Sequence, residues 1–355
     1  MIKKVLIVLA ILAATVFAAG KWFFSLLPDK SYYQSMKHSQ VADIPYLNQE
    51  RPAHRGKILA VVTSVDTMGR SGKSTGYEFA ELARAYWVFT ANGFDVDIAS
   101  PLGGEPPAVI DADDMGAFDY AFLNDTTIQK KLKNTVRIDS VEALDYEAVY
   151  FVGGKGTMFD FPEHGAIKDL VKALYQSGRV IAAVCHGPAA LLNVQLDNGD
   201  WLLADKQVSS FTNSEELLLI PDAETIFPFL LENKLIEQGA KFIAGIDYLE
   251  QVVRDGQIVS GQNPWSVWSV AEVTVEALGY QPVPRVRTAE EHSVDLLKVY
   301  EQQGYDAALK ELNSQTEAYE QVLILMHGIL AFMKLEVFKG IDLLRIAHEI
   351  KSSQS

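Results

Sequence analysis

The sequence has a single cysteine, Cys185, among 355 residues. One thiol excludes an intramolecular disulfide and a cysteine-rich zinc site, because each of these needs more than one thiol. Basic residues are also scarce, since 31 Lys and Arg stand against 46 Asp and Glu and give a formal net charge of −15. No basic cluster is present, so we exclude nucleic acid as a partner, because this polyanion would be repelled overall.

Sequence patterns for a bound metal or nucleotide are missing as well. His54, His164 and His292 lack the spacing of metal ligands. The segment Gly69–Thr75 is similar to a phosphate-binding loop, but Thr67 stands where that pattern requires glycine. We therefore expect neither a metal nor an organic cofactor.

The N-terminus carries the signal of a membrane-targeted chain. Lys3 and Lys4 precede the uncharged apolar run Val5–Gly20, and Lys21 is followed by further apolar residues. We predict that residues 1–28 form a signal anchor in which Lys21 extends its charge to the membrane surface. A secretory signal peptide cut after residue 18 or 19 is the alternative. In both cases the positive flank stays in the cytoplasm and the rest of the chain is exported.

The remaining chain divides into three parts by composition and periodicity. Residues 29–55 are a polar linker, 56–281 alternate strand-like and helix-like segments, and 282–355 form a helical C-terminal extension opened by a capping box at Thr288–Glu291. The alternation predicts an α/β domain of flavodoxin-like, doubly wound type, with a mostly parallel sheet and helices on both faces. Asp255 and Gly256 predict a hairpin turn between two later strands.

The segment around the cysteine predicts a nucleophile elbow. The apolar, β-prone Val180–Val184 runs into Cys185-His186-Gly187-Pro188 and then into the helix-forming Ala189–Leu192. A helix that begins there would stabilise the thiolate and lower the pKa of Cys185. The alternative, in which Cys185 is only a small buried apolar side chain, stays open on this pattern.

Candidate partners of the thiol lie in three other places. His186 is placed to act as an acid or base if the turn bends it toward the thiol. Glu215 and Glu216 follow a strand, and Glu81 lies in a helix, and spacing does not decide which of these orients the imidazole. The glycines of Gly153–Thr157 follow a strand and suit an oxyanion hole, although they also suit a plain tight turn.

Together these segments resemble the ThiJ/PfpI family of the class I glutamine amidotransferase-like superfamily, in the branch that contains holding chaperones and glutathione-independent glyoxalases. The resemblance covers about residues 56–280 in order and is stronger than any one motif. The segments that carry it are Thr75–Glu81, Phe94–Gly104, Gly153–Pro162, Ala183–Leu191, Phe211–Glu216 and Asp255–Pro264.

The resemblance implies a role for each candidate residue. It makes Cys185 the nucleophile, His186 the acid and base, and Glu81 a protonated carboxyl beside the thiol. It makes Glu216 the acidic third member, with Glu215 as the second choice. It also places Gly153, Gly154, Lys155 and Gly187 in the oxyanion hole and the lining of the substrate pocket.

The implied activity is conversion of methylglyoxal to lactate without glutathione, so the expected partner is a small carbonyl substrate. Lys155 departs from the family's usual Gly-Gly-His-Gly loop, and we expect it to favour anionic or larger carbonyls. The alternatives are a holding chaperone whose cysteine senses oxidants, and a peptidase or amidase of the same superfamily. The resemblance also suggests a homodimer.

Overall fold

The computed structural model describes residues 17, 20–27, 34–112, 115–314 and 316–354. It divides into two compact units, one formed by Ser35–Arg285 and the other by the described parts of 1–34 and 286–355. Most of the anchor predicted for residues 1–28 lies outside the described residues, as does part of the predicted linker. Among the residues that are described, no helix has both the length and the apolar character needed to cross a membrane.

The larger unit is built on a seven-stranded sheet, within the described residues, with the order β10-β11-β7-β6-β1-β3-β5. The pairs are parallel except for β10 and β11, which form the hairpin predicted at Asp255 and Gly256. This confirms the predicted fold class. The strands are β1 (Lys57–Val61), β2 (Tyr77–Glu78), β3 (Asp95–Ser100), β4 (Ala108–Val109), β5 (Val136–Arg137), β6 (Ala148–Phe151), β7 (Val180–Val184), β8 (Gln207–Val208), β9 (Lys241–Phe242), β10 (Val252–Asp255) and β11 (Ile258–Gly261).

Helices cover both faces of the sheet, which is why the central strands are apolar on both sides. The helices of this unit are α1 (Pro45–Asn48), α2 (Phe79–Ala91), α3 (Ala117–Asn124), α4 (Thr126–Leu132), α5 (Thr157–Asp160), α6 (Gly165–Gln176), α7 (Asn213–Leu219), α8 (Ala223–Ile226), α9 (Leu231–Glu237) and α10 (Val267–Ala277). On one face Leu59 and Val149 pack with Leu170 of α6 in one buried cluster. On the other face Tyr150 of β6 contacts Phe89 of α2, with ring centroids 5.6 Å apart.

Several elements differ from the sequence-based expectation. The segment after Cys185 is a short 3-10 helix, Gly187–Leu191, where an α-helix was predicted. Strands β8 and β9 pair with each other in a separate two-stranded sheet. The edge strand β5 and the helices α3 and α4 were not anticipated, because none of them shows a long apolar periodicity.

The smaller unit is helical. Its helices are α11 (Ala289–Gln303), α12 (Tyr305–Ser314), α13 (Gln321–Met333) and α14 (Val337–Gln354), together with the helical residues 20–26. The predicted capping box opens α11, because Glu291 N donates to Thr288 Oγ1 at 3.2 Å and Thr288 N donates to Glu291 Oε2 at 2.8 Å. Gly304 separates α11 from α12, since its φ of 84° is a conformation that favours glycine.

Candidate active site

Cys185 follows β7 at the carboxyl end of the parallel strands, where ligands bind in open α/β sheets. Its φ of 58° lies in the left-handed region, which costs a non-glycine residue about 1–2 kcal/mol. Two backbone hydrogen bonds of 2.9 Å hold it there, one from Cys185 N to Gly261 O and one from Phe211 N to Cys185 O. The predicted sharp turn is therefore present, and neighbouring segments hold its strained conformation.

The expected lowering of the thiol's pKa was wrong. Burial raises the pKa of Cys185 well above its ordinary value, the carboxylates of Glu81 and Glu78 raise it further, and only Lys155 opposes them. The 3-10 helix that follows, Gly187–Leu191, is too short for the dipole effect on which the expectation rested. Burial thus favours the neutral form of the thiol, which must lose its proton before it can attack.

Close packing explains the glycine that follows the pair Cys185-His186. A Cβ on Gly187 would lie 2.3 Å from the carbonyl oxygen of Phe151, so any side chain here would push the turn away from the sheet. The predicted pocket residue Gly187 thus lets the turn lie against β6, beneath the thiol.

His186 links the thiol to a carboxylate. Cys185 Sγ lies 3.2 Å from His186 Nδ1, and His186 Nε2 lies 2.6 Å from Glu216 Oε2. The ring of Phe211 lies 4.8 Å from the imidazole, centroid to centroid, at an angle of 31°. The imidazole is thus fixed between a proton donor and an anion, the arrangement that a cysteine nucleophile requires.

Glu216 is the anion of this chain. Burial alone would raise the pKa of its carboxyl, but the contact with His186 and the charge of Lys155 outweigh burial and hold the pKa below its ordinary value. Glu216 therefore remains ionised, and it is placed to stabilise the positive charge that the imidazole gains when it accepts a proton.

The neighbouring carboxylate, Glu215, belongs to the scaffold. Glu215 accepts hydrogen bonds from Thr212 N at 2.9 Å, Tyr248 N at 2.6 Å and Asn263 Nδ2 at 2.9 Å. Burial raises the pKa of Glu215, in contrast to that of Glu216. The signal for this difference was in the sequence, because Thr212-Asn213-Ser214-Glu215 is a capping box that commits Glu215 to the start of α7.

Glu81 reaches the thiol from the opposite side. It lies on α2, is only 1% exposed, and hydrogen-bonds Cys185. Its Oε2 accepts from Gly153 N at 2.8 Å, and the hydroxyl of Tyr150 donates to its carbonyl oxygen at 3.0 Å. Because α2 is covered on every side, a carboxylate beside the helix's apolar stripe is buried at the site.

The glycine loop after β6 adopts a conformation that side chains would prevent. A Cβ on Gly153 would lie 2.5 Å from Glu81 Oε2 and 2.7 Å from Cys185 Cβ, and Gly154 has a φ of 106°. The N–H of Gly153 is already bonded to Glu81 and does not serve as an oxyanion donor in this arrangement, which corrects the expectation for that group. The N–H groups of Gly154 and His186 have no acceptor among the described residues, which makes these two the candidate donors to a substrate oxygen.

Lys155 and Glu78 complete the charged surroundings of the thiol. Lys155 is half-buried, and its charge lowers the pKa of both Cys185 and Glu216. Glu78 was missed by sequence reasoning, although it precedes Glu81 by three residues and so lies on the same side of the chain as α2 begins. The structure thus brings Cys185, His186, Glu81 and Glu216 together, with the glycine loop beside them.

Comparison with known proteins places this arrangement in a family. The model of the DJ-1/PfpI family matches residues 74–277. The chain is 31% identical to the glutathione-independent glyoxalase HSP31 of Saccharomyces cerevisiae over 231 residues, which are 62% of this chain and 98% of that protein.

Two solved structures are similar over the same region. The Rapid Encystment Protein of Francisella tularensis has a TM-score of 0.61 and 35% identity, covering 63% of this chain and 99% of that one. Glyoxalase III of Candida albicans has a TM-score of 0.58 and 27% identity, covering 64% of this chain and 98% of that one. With the family model matching more than half of its length, this chain belongs to the DJ-1/PfpI family.

Proposed function

We propose that this protein is a cysteine-dependent, glutathione-independent glyoxalase that converts methylglyoxal to lactate. The observation that carries the proposal is the continuous path from Cys185 Sγ through His186 to Glu216, with contacts of 3.2 and 2.6 Å and Glu81 on the far side of the thiol. The relatives named as glyoxalases support the substrate class. A small aldehyde is also the electrophile that a single thiol can attack without a second cysteine or a cofactor.

The first step is addition of the thiol to the aldehyde carbon. Cys185 gives its proton to His186, whose positive charge Glu216 stabilises, and the sulfur then bonds to the aldehyde carbon. The aldehyde oxygen gains negative charge, accepts hydrogen bonds from the N–H groups of Gly154 and His186, and takes up a proton to give a hemithioacetal.

The second step moves hydrogen between the two carbons. A base, His186 or Glu81, removes the proton from the former aldehyde carbon to give an enediol, and a proton is returned to the neighbouring carbon. The product is a thioester of lactate on Cys185. Water then breaks the carbon–sulfur bond, which releases lactate and restores the thiol, so that one methylglyoxal and one water become one lactic acid.

Lactate formation by the full chain without glutathione tests the proposal. We expect turnover by the wild type and by the control Leu144→Ala, whose side chain is 65% exposed, and loss of turnover in Cys185→Ala. A well-folded wild type without turnover would contradict the proposal, as would a Cys185→Ala variant that remains active. Suppression of client aggregation that survives in an inactive wild type would instead support the chaperone alternative.

We also propose that the N-terminal run anchors the chain in a membrane with the catalytic unit exported. The support is the sequence itself, in which Lys3 and Lys4 flank the uncharged run Val5–Gly20. Membrane fractionation with N-terminal sequencing tests it: an intact N-terminus in the membrane fraction is the expected result. A chain that begins near residue 19 or 20 would support the signal peptide instead.

Sedimentation of the same preparation tests the homodimer that we propose from the resemblance.

A further inference from the structure

Thr157 joins the glycine loop to the turn that carries the thiol. It is the first residue of α5, and its side chain is fully buried. Its hydroxyl lies 2.9 Å from Gly154 O and 3.0 Å from His186 O. Within the described part of the chain, no other hydrogen bond connects residues 153–157 to residues 185–188. One side chain therefore links the segments that follow β6 and β7.

The two carbonyls belong to the residues that supply the candidate oxyanion donors, Gly154 and His186. In each residue the carbonyl oxygen and the nitrogen are three bonds apart, so a restraint on the carbonyl also limits where the N–H points. Because the two residues follow different strands, no local backbone geometry fixes the distance between their N–H groups. An oxyanion hole needs both donors about 2.7–3.1 Å from the oxygen that gains charge.

The hydroxyl of Thr157 has to serve both carbonyls. A threonine hydroxyl has one proton to donate, and the nearly equal distances indicate that the two oxygens share it. Each oxygen also accepts from the backbone, Gly154 O from Thr157 N and His186 O from Ala189 N, both at 3.1 Å. Neither carbonyl thus depends on the hydroxyl for a partner, and what the hydroxyl adds is a fixed spacing between the two.

We propose that Thr157 is a positioning residue that sets the spacing of the two oxyanion donors, Gly154 N–H and His186 N–H. This inference rests on the mechanism proposed above, in which these N–H groups bind the charged oxygen of the adduct. Thr157 acts through its two carbonyl acceptors and needs no contact with the substrate.

The thiol and the imidazole are held by other groups. Backbone hydrogen bonds to Gly261 and Phe211 fix Cys185, and Glu216 Oε2 lies 2.6 Å from the ring nitrogen of His186. Loss of the Thr157 hydroxyl should therefore disturb the donors and leave proton transfer from the thiol as it was. This difference separates a positioning role from a general effect on the fold.

Two reactions of the same thiol measure this difference in the full chain. Acylation of Cys185 by p-nitrophenyl acetate passes through a tetrahedral intermediate with a negatively charged oxygen, which the donors stabilise. Alkylation by iodoacetamide displaces iodide at a saturated carbon and forms no such oxygen. Acylation is followed by the first burst of p-nitrophenolate, with Cys185→Ala as the background, and alkylation by mass spectrometry. Lactate formation from methylglyoxal is measured on the same preparations.

In Thr157→Val we expect the acylation rate constant and kcat for methylglyoxal to fall about 10- to 100-fold, because a methyl group replaces the hydroxyl and pushes the two carbonyls apart. Alkylation should keep its wild-type rate. Thr157→Ser retains the hydroxyl and should restore acylation and kcat. Thr157→Ala removes the hydroxyl without adding a methyl group and gives the same comparison if the valine variant does not fold.

The matched control is Thr274→Val. Thr274 is also fully buried, but its hydroxyl donates to Val270 O at 2.7 Å within α10. This variant removes the same chemical group away from the site, so its folded fraction should keep the wild-type rates of acylation, alkylation and lactate formation.

Four results would overturn the inference. They are equal falls of acylation and alkylation in Thr157→Val, an unchanged acylation rate, a loss that Thr157→Ser does not restore, and a wild type without acylation at Cys185. A wild type that is acylated but forms no lactate would contradict the glyoxalase activity alone, because the acylation and alkylation rates of the variants still decide the role of Thr157.

Discussion

The two sides of Cys185 carry the same type of side chain in opposite electrostatic roles. On one side Glu216 pairs with His186, and this contact holds the pKa of the carboxyl low. On the other side Glu81 raises the pKa of the thiol that it faces. Glu216 thus favours transfer of the thiol's proton to His186, because it stabilises a positive charge on the imidazole. Glu81 opposes this transfer, because it disfavours a negative charge on the sulfur.

Burial and the facing carboxylates therefore oppose ionisation of the thiol. Two buried negative groups so close together do not both ionise readily. A neutral thiol is also protected from oxidation, since the thiolate is the form that oxidants attack. His186 supplies the route by which the proton leaves, and the variants below change the groups around this route one at a time.

The largest loss of activity is expected on substitution of Glu81, the residue that opposes ionisation of the thiol. In Glu81→Gln we expect kcat for methylglyoxal to fall about 10³-fold, because the group that exchanges a proton beside the thiol is lost. The same change removes a negative charge, so the pKa of Cys185, measured by the pH dependence of its alkylation, should fall. An unchanged alkylation profile would mean that Glu81 is protonated in the resting protein, as the family resemblance implies.

A smaller loss is expected on the imidazole side. In Glu216→Gln we expect kcat to fall about 10²-fold, because the protonated His186 loses its counter-charge. Glu215→Gln is the matched control one residue away. It should lower the melting temperature, because an amide N–H₂ would face the donors of Thr212, Tyr248 and Asn263, while the kcat of its folded fraction stays near that of the wild type. Equal losses of kcat in both variants would contradict the assignment of Glu216.

Lys155 is the one cation that acts on both sides of the thiol among the described residues. In Lys155→Met we expect the pKa of Cys185 to rise and kcat/KM for methylglyoxal to fall about tenfold, as one stabilising charge is lost. For an anionic aldehyde such as glyoxylate the fall should be greater. An identical fall for both substrates would show that Lys155 does not select for charge.

The smallest effect concerns stability in acid. The pKa of Glu216 is lowered in the folded protein, so its ionised carboxylate contributes stability above the carboxyl's ordinary value of 4.5. This contribution is lost as the pH falls through the folded pKa. The stability difference between the wild type and Glu216→Gln should therefore be present at pH 7 and shrink at pH 3, which thermal melts will measure. A stability difference that grows as the pH falls would contradict the lowered pKa of Glu216.

The sequence predicted the fold and the grouping of residues better than their geometry. Strand β7 appears where the apolar run Val180–Val184 predicted it, because it is covered on both faces. The contact between Cys185 and His186 could not be read from adjacency, since it depends on the φ of 58° at Cys185. That conformation comes from backbone bonds to Gly261 and Phe211, which lie far away in sequence.

Burial explains the two errors at the site. The sequence-based expectation for the pKa of Cys185 used only the local turn, whereas its desolvation comes from the surrounding sheet and α2. The N–H of Gly153 was assigned to substrate because the loop is rich in glycine, but Glu81 already accepts from it. Both errors concern contacts between distant segments, which no local pattern encodes.

The central claim is that Cys185 bonds covalently to the substrate, and Glu81→Gln offers a direct test because it should stall the reaction after addition. The variant is mixed with methylglyoxal, quenched in cold acid, which slows reversal of the hemithioacetal, digested with pepsin at the same low pH, and analysed at once by mass spectrometry. We expect the mass of one methylglyoxal on the peptide that contains Cys185, and no such addition to that peptide in Cys185→Ala. Modification of Lys and Arg residues alone, in a protein whose wild type forms lactate, would contradict the account.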